Sequence, residues 1–425
     1  MSKSHSPTRL DPQTRGVPLD LQDISVEGFC ALGLRPAHGE TGLPILTLDA
    51  GAFDANTTTM MNYVRVAGAR IAPHAKTPMS PALADKLVAA GADGLTVADG
   101  RQAAVMLASG FRKLLLANEI GGEAAGRRFG ELLRRYPDCE ISVFVDSPAA
   151  VCAAAAAALA AERTLACLIE VGTGRAGARS RDAARTVIDA VEEAEGLALA
   201  GVATYEGAAA TADAAETLLR VDALCRLVGE VLGDVRARNP GQQLVLSAGG
   251  SAFFDRVIAV LGPVCAADGA CTLLLRSGAI FFHDHGVYAR ALAALDERGG
   301  FSPGASASAS FTPSLRVFAE VLSRPEADLA ICGLGMRDIS FDQGLPLPVG
   351  LYRGGRSLSL SENSRVVRLN DQHAFVALSP GSDVAVGDIL AFGLSHPCTA
   401  LDRWSHIFVL DDAGAVRRVL PTFFG

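Results

Sequence analysis

Residues 140–171 read EISVFVDSPAAVCAAAAAALAAERTLACLIEV, and their order decides the architecture. Glu140–Val145 and Leu165–Val171 are short apolar runs of the kind that form buried strands. Pro148–Ala161 between them is an alanine-rich helical stretch. A strand, helix, strand order returns the chain to the same end of a sheet, so the two strands are expected to be parallel. The alternation extends both ways. Strand-like runs lie upstream at Pro44–Leu48, Ala69–Pro73, Gly94–Ala98 and Lys113–Ala117, and downstream at Leu199–Tyr205, Leu244–Ser247 and Thr272–Arg276. Helical patterns at Pro81–Ala90, Arg101–Ser109 and Arg181–Glu195 separate several of them. That many parallel units over roughly 240 residues close most economically as a (β/α)8 barrel, an α/β fold, with a doubly wound open sheet as the second reading.

After His285 the character changes. Gly299–Ser310 (GGFSPGASASAS) reads as a loop. Runs at Ser314–Leu322, Leu329–Gly333, Arg365–Leu369, His373–Leu378, Asp388–Phe392 and Ser405–Leu410 suggest a second, mostly β C-terminal domain. The expected division is residues 1–40 as a tail and a segment joining the β domain, 41–285 as the barrel, and 286–425 as the β domain.

The chain has 425 residues, 49% hydrophobic and 20% charged, with a net charge of -8. Such a balance describes a globular protein of two or three domains and argues against a nucleic-acid partner, which would call for a basic stripe. No apolar run approaches the roughly 18–20 residues of a membrane helix. Met1–Asp20 is polar, lacks the apolar core of a signal peptide, and reads as a mobile tail. Nine scattered cysteines fit a reducing compartment, so a cytoplasmic enzyme is expected.

Only four lysines occur: Lys3, Lys76, Lys86 and Lys113. Catalytic groups of a (β/α)8 barrel follow the C-terminal ends of its strands, and only Lys76, in PHAKTP (73–78), directly follows one. A desolvated lysine there can form a Schiff base with an aldehyde, although a solvated loop lysine has the same spacing. Ser247-Ala248-Gly249-Gly250-Ser251 follows a late strand, where backbone amides and hydroxyls can meet a phosphate; a plain tight turn is the other reading. Gly172–Gly177 (GTGRAG) follows another strand and could hold Arg175 over a cofactor. His396 and Cys398 lie two apart in a segment expected to be extended, so both could face one metal ion, zinc foremost, or could be a structural pair.

Together, Pro73–Thr77, Ser247–Ser251 and His396–Thr399 (HPCT), in this order, resemble the D-serine dehydratase / D-threonine aldolase family of alanine-racemase-like, fold-type III pyridoxal-phosphate enzymes. Leu275–Gly278 (LRSG), His283–Gly286 (HDHG) and Asp371–Phe375 (DQHAF) add to the match, which spans roughly residues 40 to 415. The resemblance implies a barrel of alanine-racemase type. It implies that Lys76 carries pyridoxal 5'-phosphate and removes the substrate Cα proton, with His74 beside it. Arg175 would contact the phenolic oxygen, and Tyr205 the pyridine nitrogen. Ser247, Gly249, Gly250 and Ser251 would surround the phosphate. His396 and Cys398 would bind Zn2+ or another divalent metal at the substrate's β-hydroxyl. Here Thr77 is followed by Pro78 where many members have His, the segment after Tyr205-Glu206-Gly207 is Ala-rich instead of carrying His, and Ile280 replaces a frequent aromatic.

The implied reaction is β-elimination from a small D-3-hydroxy amino acid, such as D-serine or D-threonine, giving a 2-oxo acid and ammonia. A His-x-Cys pair resembles the dehydratases, whereas aldolases tend to show His-x-Asp. Alternatives are a D-threonine-type aldolase, a non-catalytic pyridoxal-phosphate binding protein, and a phosphate-binding barrel without that cofactor. A homodimer is expected, with no nucleic-acid or membrane partner.

Overall fold

The computed structural model describes residues 9–301 and 305–424. Lys3, with the rest of positions 1–8, and residues 302–304 of the Gly/Ser/Ala stretch lie outside the described residues.

Eight parallel strands follow one another around a barrel: Arg70–Ile71, Leu95–Val97, Lys113–Leu116, Glu140–Val145, Leu165–Glu170, Leu197–Ala203, Leu244–Ala248 and Cys271–Leu275. Leu274 and Leu275 of the last strand pair with Arg70 and Ile71 of the first. The first and second strands join through Asp93 N–H to Ile71 O (2.7 Å), Thr96 N–H to Pro73 O (3.0 Å) and Ala75 N–H to Thr96 O (2.8 Å), which closes the ring. Val143, Phe144, Val145, Cys167, Leu168 and Ile169 are all buried, because helices cover the outside of a parallel barrel while side chains fill its inside.

The alanine-rich stretch forms the helix Pro148–Ala161, started by Ser147, whose hydroxyl accepts from Ala150 N–H, and by Pro148 at the first position. Its small residues have a packing purpose. It lies against the helix Glu123–Arg134, where a Cβ on Gly126 or Gly130 would stand 2.1 Å from Ala153 O or 2.2 Å from Ala157 O. Small side chains on one helix and glycines on the other let the two backbones approach closely.

The second body is a sheet whose strands include Leu315–Glu326, Leu329–Cys332, Arg365–Leu369, Ala374–Ala377, Ile389–Gly393 and His406–Leu410, all expected from sequence. Leu347–Arg353, Arg356–Leu358 and Val416–Pro421 also join it and were not expected. Arg356–Leu358 and Val416–Pro421 lie at edges, while Pro348 and Gly350 break the alternation of Leu347–Arg353, whose register shifts between them. Within the Gly/Ser/Ala stretch, Ala307–Ser310 is one helical turn instead of loop, started by Ser306.

Two expectations are corrected. The run Pro44–Leu48 is not a barrel strand: Ile45–Asp49 pairs antiparallel with Leu315–Glu326 and parallel with His406–Leu410. Its apolar residues are buried in either setting, so only the distant partners distinguish them. From Arg9 onward the N-terminal segment is no mobile tail. Arg9–Leu10 pairs with Ile24–Ser25, and Leu10, Val17 and Phe29 pack with Phe408 of the β sheet. Buried apolar area outweighs the polar surroundings of these few residues. Among the described residues no helix is long and apolar enough to cross a membrane.

Candidate active site

At the C-terminal ends of the barrel strands lies a cavity of about 300 Å³ lined by residues of both bodies. His74, Lys76 and Thr77 enter it from the first strand, Arg175 from the fifth, Tyr205 from the sixth, Gly250 and Ser251 from the seventh, and Arg276 through Ala279 from the eighth. Ala117, Tyr288 and Cys398 complete the wall.

Lys76 projects from a short segment fixed by the Ala75 N–H bond to Thr96 O. The segment is wedged against the last strand's loop: a Cβ on Gly278 would stand 2.6 Å from His74 O. Lys76 is open to the cavity, yet the surrounding walls desolvate its ammonium and lower its pKa. Cys398 opposes this shift, while Arg175 and Arg276 add to it. His74 is held neutral, its pKa driven well down by burial and by Lys76, Arg276 and Arg175. Its Nδ1 is buried without a hydrogen-bond partner, an atom suited to a bound polar group.

Arg175 rides on the loop 172–177 and spans two contacts. Its Nη2 lies 3.4 Å from Glu170 Oε1, and its guanidinium sits 5.1 Å from the ring centre of Tyr205. Burial raises the Tyr205 phenol pKa, helped by the charge of Glu206. Tyr205 and Arg175 therefore form one edge of the cavity facing Lys76.

The glycine loop is arranged differently from the expectation. Gly249 N–H and Gly250 N–H both donate to the buried Glu206 carboxylate, at 3.1 and 2.6 Å. In this arrangement the two amides serve the Glu206 carboxylate. Ser247 also points elsewhere: its hydroxyl donates to Leu274 O (3.1 Å) and accepts from Arg276 Nη1 (2.8 Å). Of the four expected phosphate residues, Gly250 and Ser251 line the cavity and Ser247 and Gly249 support it from behind. Ser251 Oγ accepts from Ile280 N–H (3.2 Å), which ties it to the segment 278–280.

His396 and Cys398 are not on an extended segment. His396 caps the short helix Pro397–Leu401, with Pro397 at its first position, and Cys398 lies within it. The cap geometry still brings the two side chains within hydrogen-bond reach. His396 Nδ1 pairs with Asp342 Oδ2 at 2.7 Å, and Asp342 also accepts from Thr399 Oγ1. Burial disfavours the imidazolium, but Cys398 and Asp342 outweigh it and push the His396 pKa up to about 9. Cys398 Sγ lies 3.3 Å from Thr77 Oγ1, one residue from Lys76. Among the described residues no cluster of three or more His, Cys, Asp or Glu side chains is arranged as a metal cage. The donor set suits an ion with two protein ligands and open positions, its imidazole oriented by a carboxylate.

Several lining residues have no role that the sequence alone points to. Arg276, 6% exposed at the end of the last strand, donates to Thr204 O through Nη2 (2.6 Å) and lies over the Phe144 ring. An arginine ending a barrel strand was the available signal. Tyr288 is presented by the helix Val287–Glu297, whose first N–H groups are capped by Asp284 Oδ1 through Gly286 N–H (2.8 Å) and Tyr288 N–H (2.9 Å). The HDHG motif thus acts partly as a helix start.

Two family profiles match in series: the alanine racemase N-terminal domain over residues 48–256 and the serine dehydratase domain over residues 314–410. A D-threonine aldolase of Arthrobacter sp. is 26% identical over 361 residues, covering 83% of this chain and 85% of its own. A D-threo-3-hydroxyaspartate dehydratase of Delftia sp. (strain HT23) is 30% identical over 184 residues, 41% of this chain and 46% of its own. The crystal structure of D-threonine aldolase from Filomicrobium marinum superposes with a TM-score of 0.75 at 24% identity, covering 92% of this chain and 97% of that one. The chain is an enzyme of the lyase class and belongs to the alanine-racemase-like, pyridoxal-phosphate-dependent family of D-serine dehydratases and D-threonine aldolases.

Proposed function

We propose that this protein is a cytoplasmic, homodimeric lyase that binds pyridoxal 5'-phosphate at Lys76 and eliminates water from a small D-3-hydroxy amino acid. One observation carries the reading: a lysine with a lowered pKa and a thiol of a second body face the same cavity, linked through Thr77. The residues fit the cofactor, since His74 Nδ1 awaits a partner and Arg175, Tyr205 and Arg276 surround the lysine. With Gly249 and Gly250 amides given to Glu206, Ser251 and the segment 277–279 are the remaining wall for the phosphate.

The cofactor, when bound, supplies an electron sink that acidifies the substrate Cα–H. Lys76 Nζ, its pKa lowered by desolvation, would accept that proton. Arg175 and Tyr205 orient the cofactor's ring edge. His396 and Cys398 hold a divalent ion, zinc foremost, that would polarise the β-hydroxyl as a Lewis acid. Asp342 fixes the imidazole so that its other nitrogen can serve the ion.

Cys398 beside His396 favours elimination to a 2-oxo acid and ammonia. The likeness to a D-threonine aldolase over most of the chain favours a second reading, cleavage of Cα–Cβ to glycine and an aldehyde. Product analysis with D-serine, D-threonine and D-threo-3-hydroxyaspartate separates them. A 2-oxo acid with stoichiometric ammonia supports elimination, and glycine with an aldehyde supports cleavage. Neither product from any of the three contradicts both.

A further inference from the structure

Behind Arg175, three carboxyl groups end three successive barrel strands. Glu119 follows Lys113–Leu116, Asp146 follows Glu140–Val145, and Glu170 ends Leu165–Glu170. Asp146 is satisfied, since its Oδ2 accepts from Gly177 N–H at 3.0 Å and so pins the far end of the Arg175 loop. The other two are not. Glu170 is 1% exposed, its Oε1 meets Arg175 Nη2 at 3.4 Å, and its Oε2 is buried with no donor in reach. Glu119 Oε1 is likewise buried without a donor, and the two carboxyl groups lie within hydrogen-bond reach of each other.

Two facing carboxylates each with an orphaned oxygen are costly in a buried site, and one proton between them satisfies both. We propose that Glu119 and Glu170 share one proton, Glu119 donating its O–H to the Glu170 carboxylate, and that this pair positions Arg175 at the mouth of the lysine cavity. The remaining negative charge then faces Arg175, the single cation in contact with Glu170 among the described residues. Burial, the Glu170 hydrogen bond and charge, and the charge of Asp146 together raise the Glu119 pKa to about 8. Asp99 and Arg128 share the outer cleft beside Glu119, and Arg175 faces the pair from the loop side. Above that pKa the proton leaves to solvent, Glu119 and Glu170 repel, and the anchor of Arg175 loosens. Glu119 is thus a positioning residue. Its effect on the cofactor rests on the proposed placement of Arg175 at that cofactor, whereas the shared proton does not.

The test has two arms, both on the full chain. In the first, infrared difference spectra of cofactor-free protein are followed against pH for wild type, Glu119→Gln and Glu170→Gln. Subtracting Glu119→Gln isolates Glu119 from Asp284, whose pKa burial raises to about 6. The expected result is a protonated-carboxyl band in wild type with a midpoint near 8, absent in Glu119→Gln and moved to lower pH in Glu170→Gln. A wild type without that band at neutral pH, or a midpoint untouched by Glu170→Gln, overturns the shared proton. In the second arm, pyridoxal phosphate is added and its protein-bound visible band is titrated. A pH transition near 8 in wild type, lost in Glu119→Gln with cofactor uptake retained, is expected. Glu119→Ala, which leaves Glu170 Oε2 without a donor, should weaken uptake about tenfold. A wild-type band that does not respond to pH overturns the link to Arg175. A wild type that takes up no cofactor contradicts the proposed function instead, and the infrared arm then decides the pair.

Discussion

Thr77 Oγ1 lies 3.3 Å from Cys398 Sγ, although 321 positions separate them in the chain. This contact joins the lysine segment of the barrel to the short helix of the β body, so Lys76 and the Cys398 thiol share one wall of the cavity. Thr77→Val keeps the volume and removes the hydroxyl. The expected outcome is an intact fold with zinc uptake weakened about tenfold, read by competition with a chelator, because an outer partner of a ligand is lost.

Asp342 orients His396 through Nδ1. Asp342→Asn should therefore lower zinc affinity by about 10–100-fold while His396→Ala and Cys398→Ala abolish stoichiometric binding. Metal content after dialysis against a buffered zinc solution checks all three. Unchanged content in Cys398→Ala removes the metal role.

Gly278 has no unusual φ, but its missing side chain leaves room for His74 O at 2.6 Å. Gly278→Ala must push the two loops apart. A loss of about 1–3 kcal/mol in stability is expected from such overpacking, seen as a lower urea midpoint. Because His74 and Lys76 move together, cofactor uptake should fall in the same variant. A variant with wild-type midpoint and uptake contradicts the tight contact.

Burial lowers the Lys76 pKa from 10.5, with Arg175 and Arg276 adding to the shift against Cys398. The neutral amine therefore dominates at lower pH than in a free lysine. In cofactor-free protein, pH-dependent acylation of Lys76, read by peptide mass mapping, should reach half its maximum below pH 10.5. Removing a neighbouring positive charge in Arg276→Met should move that midpoint upward.

Much of this was legible in the sequence because strand–helix alternation is a local pattern and parallel strands advertise themselves as continuous apolar runs. Lys76 could be picked out by its position after a strand, and Cys398 by its spacing from His396. Long-range pairing was not legible. Ile45–Asp49 is apolar enough for either sheet, and nothing within it reveals Leu315–Glu326 or His406–Leu410 as its neighbours. The partner of the glycine loop was hidden for the same reason. Gly249 and Gly250 do present their amides to an anion, but that anion is Glu206, 43 positions from Gly249. The shared wall of Lys76 and Cys398 likewise exists only once the two bodies are folded.

If Lys76 carries the cofactor, borohydride reduction of the pyridoxal-phosphate-loaded protein fixes it to that residue. The expected result is loss of the visible band and a single reduced pyridoxyl label, mapped by peptide mass spectrometry to Lys76 and absent in Lys76→Ala. A label on Lys86 or Lys113, or a reducible visible band that survives in Lys76→Ala, would contradict it.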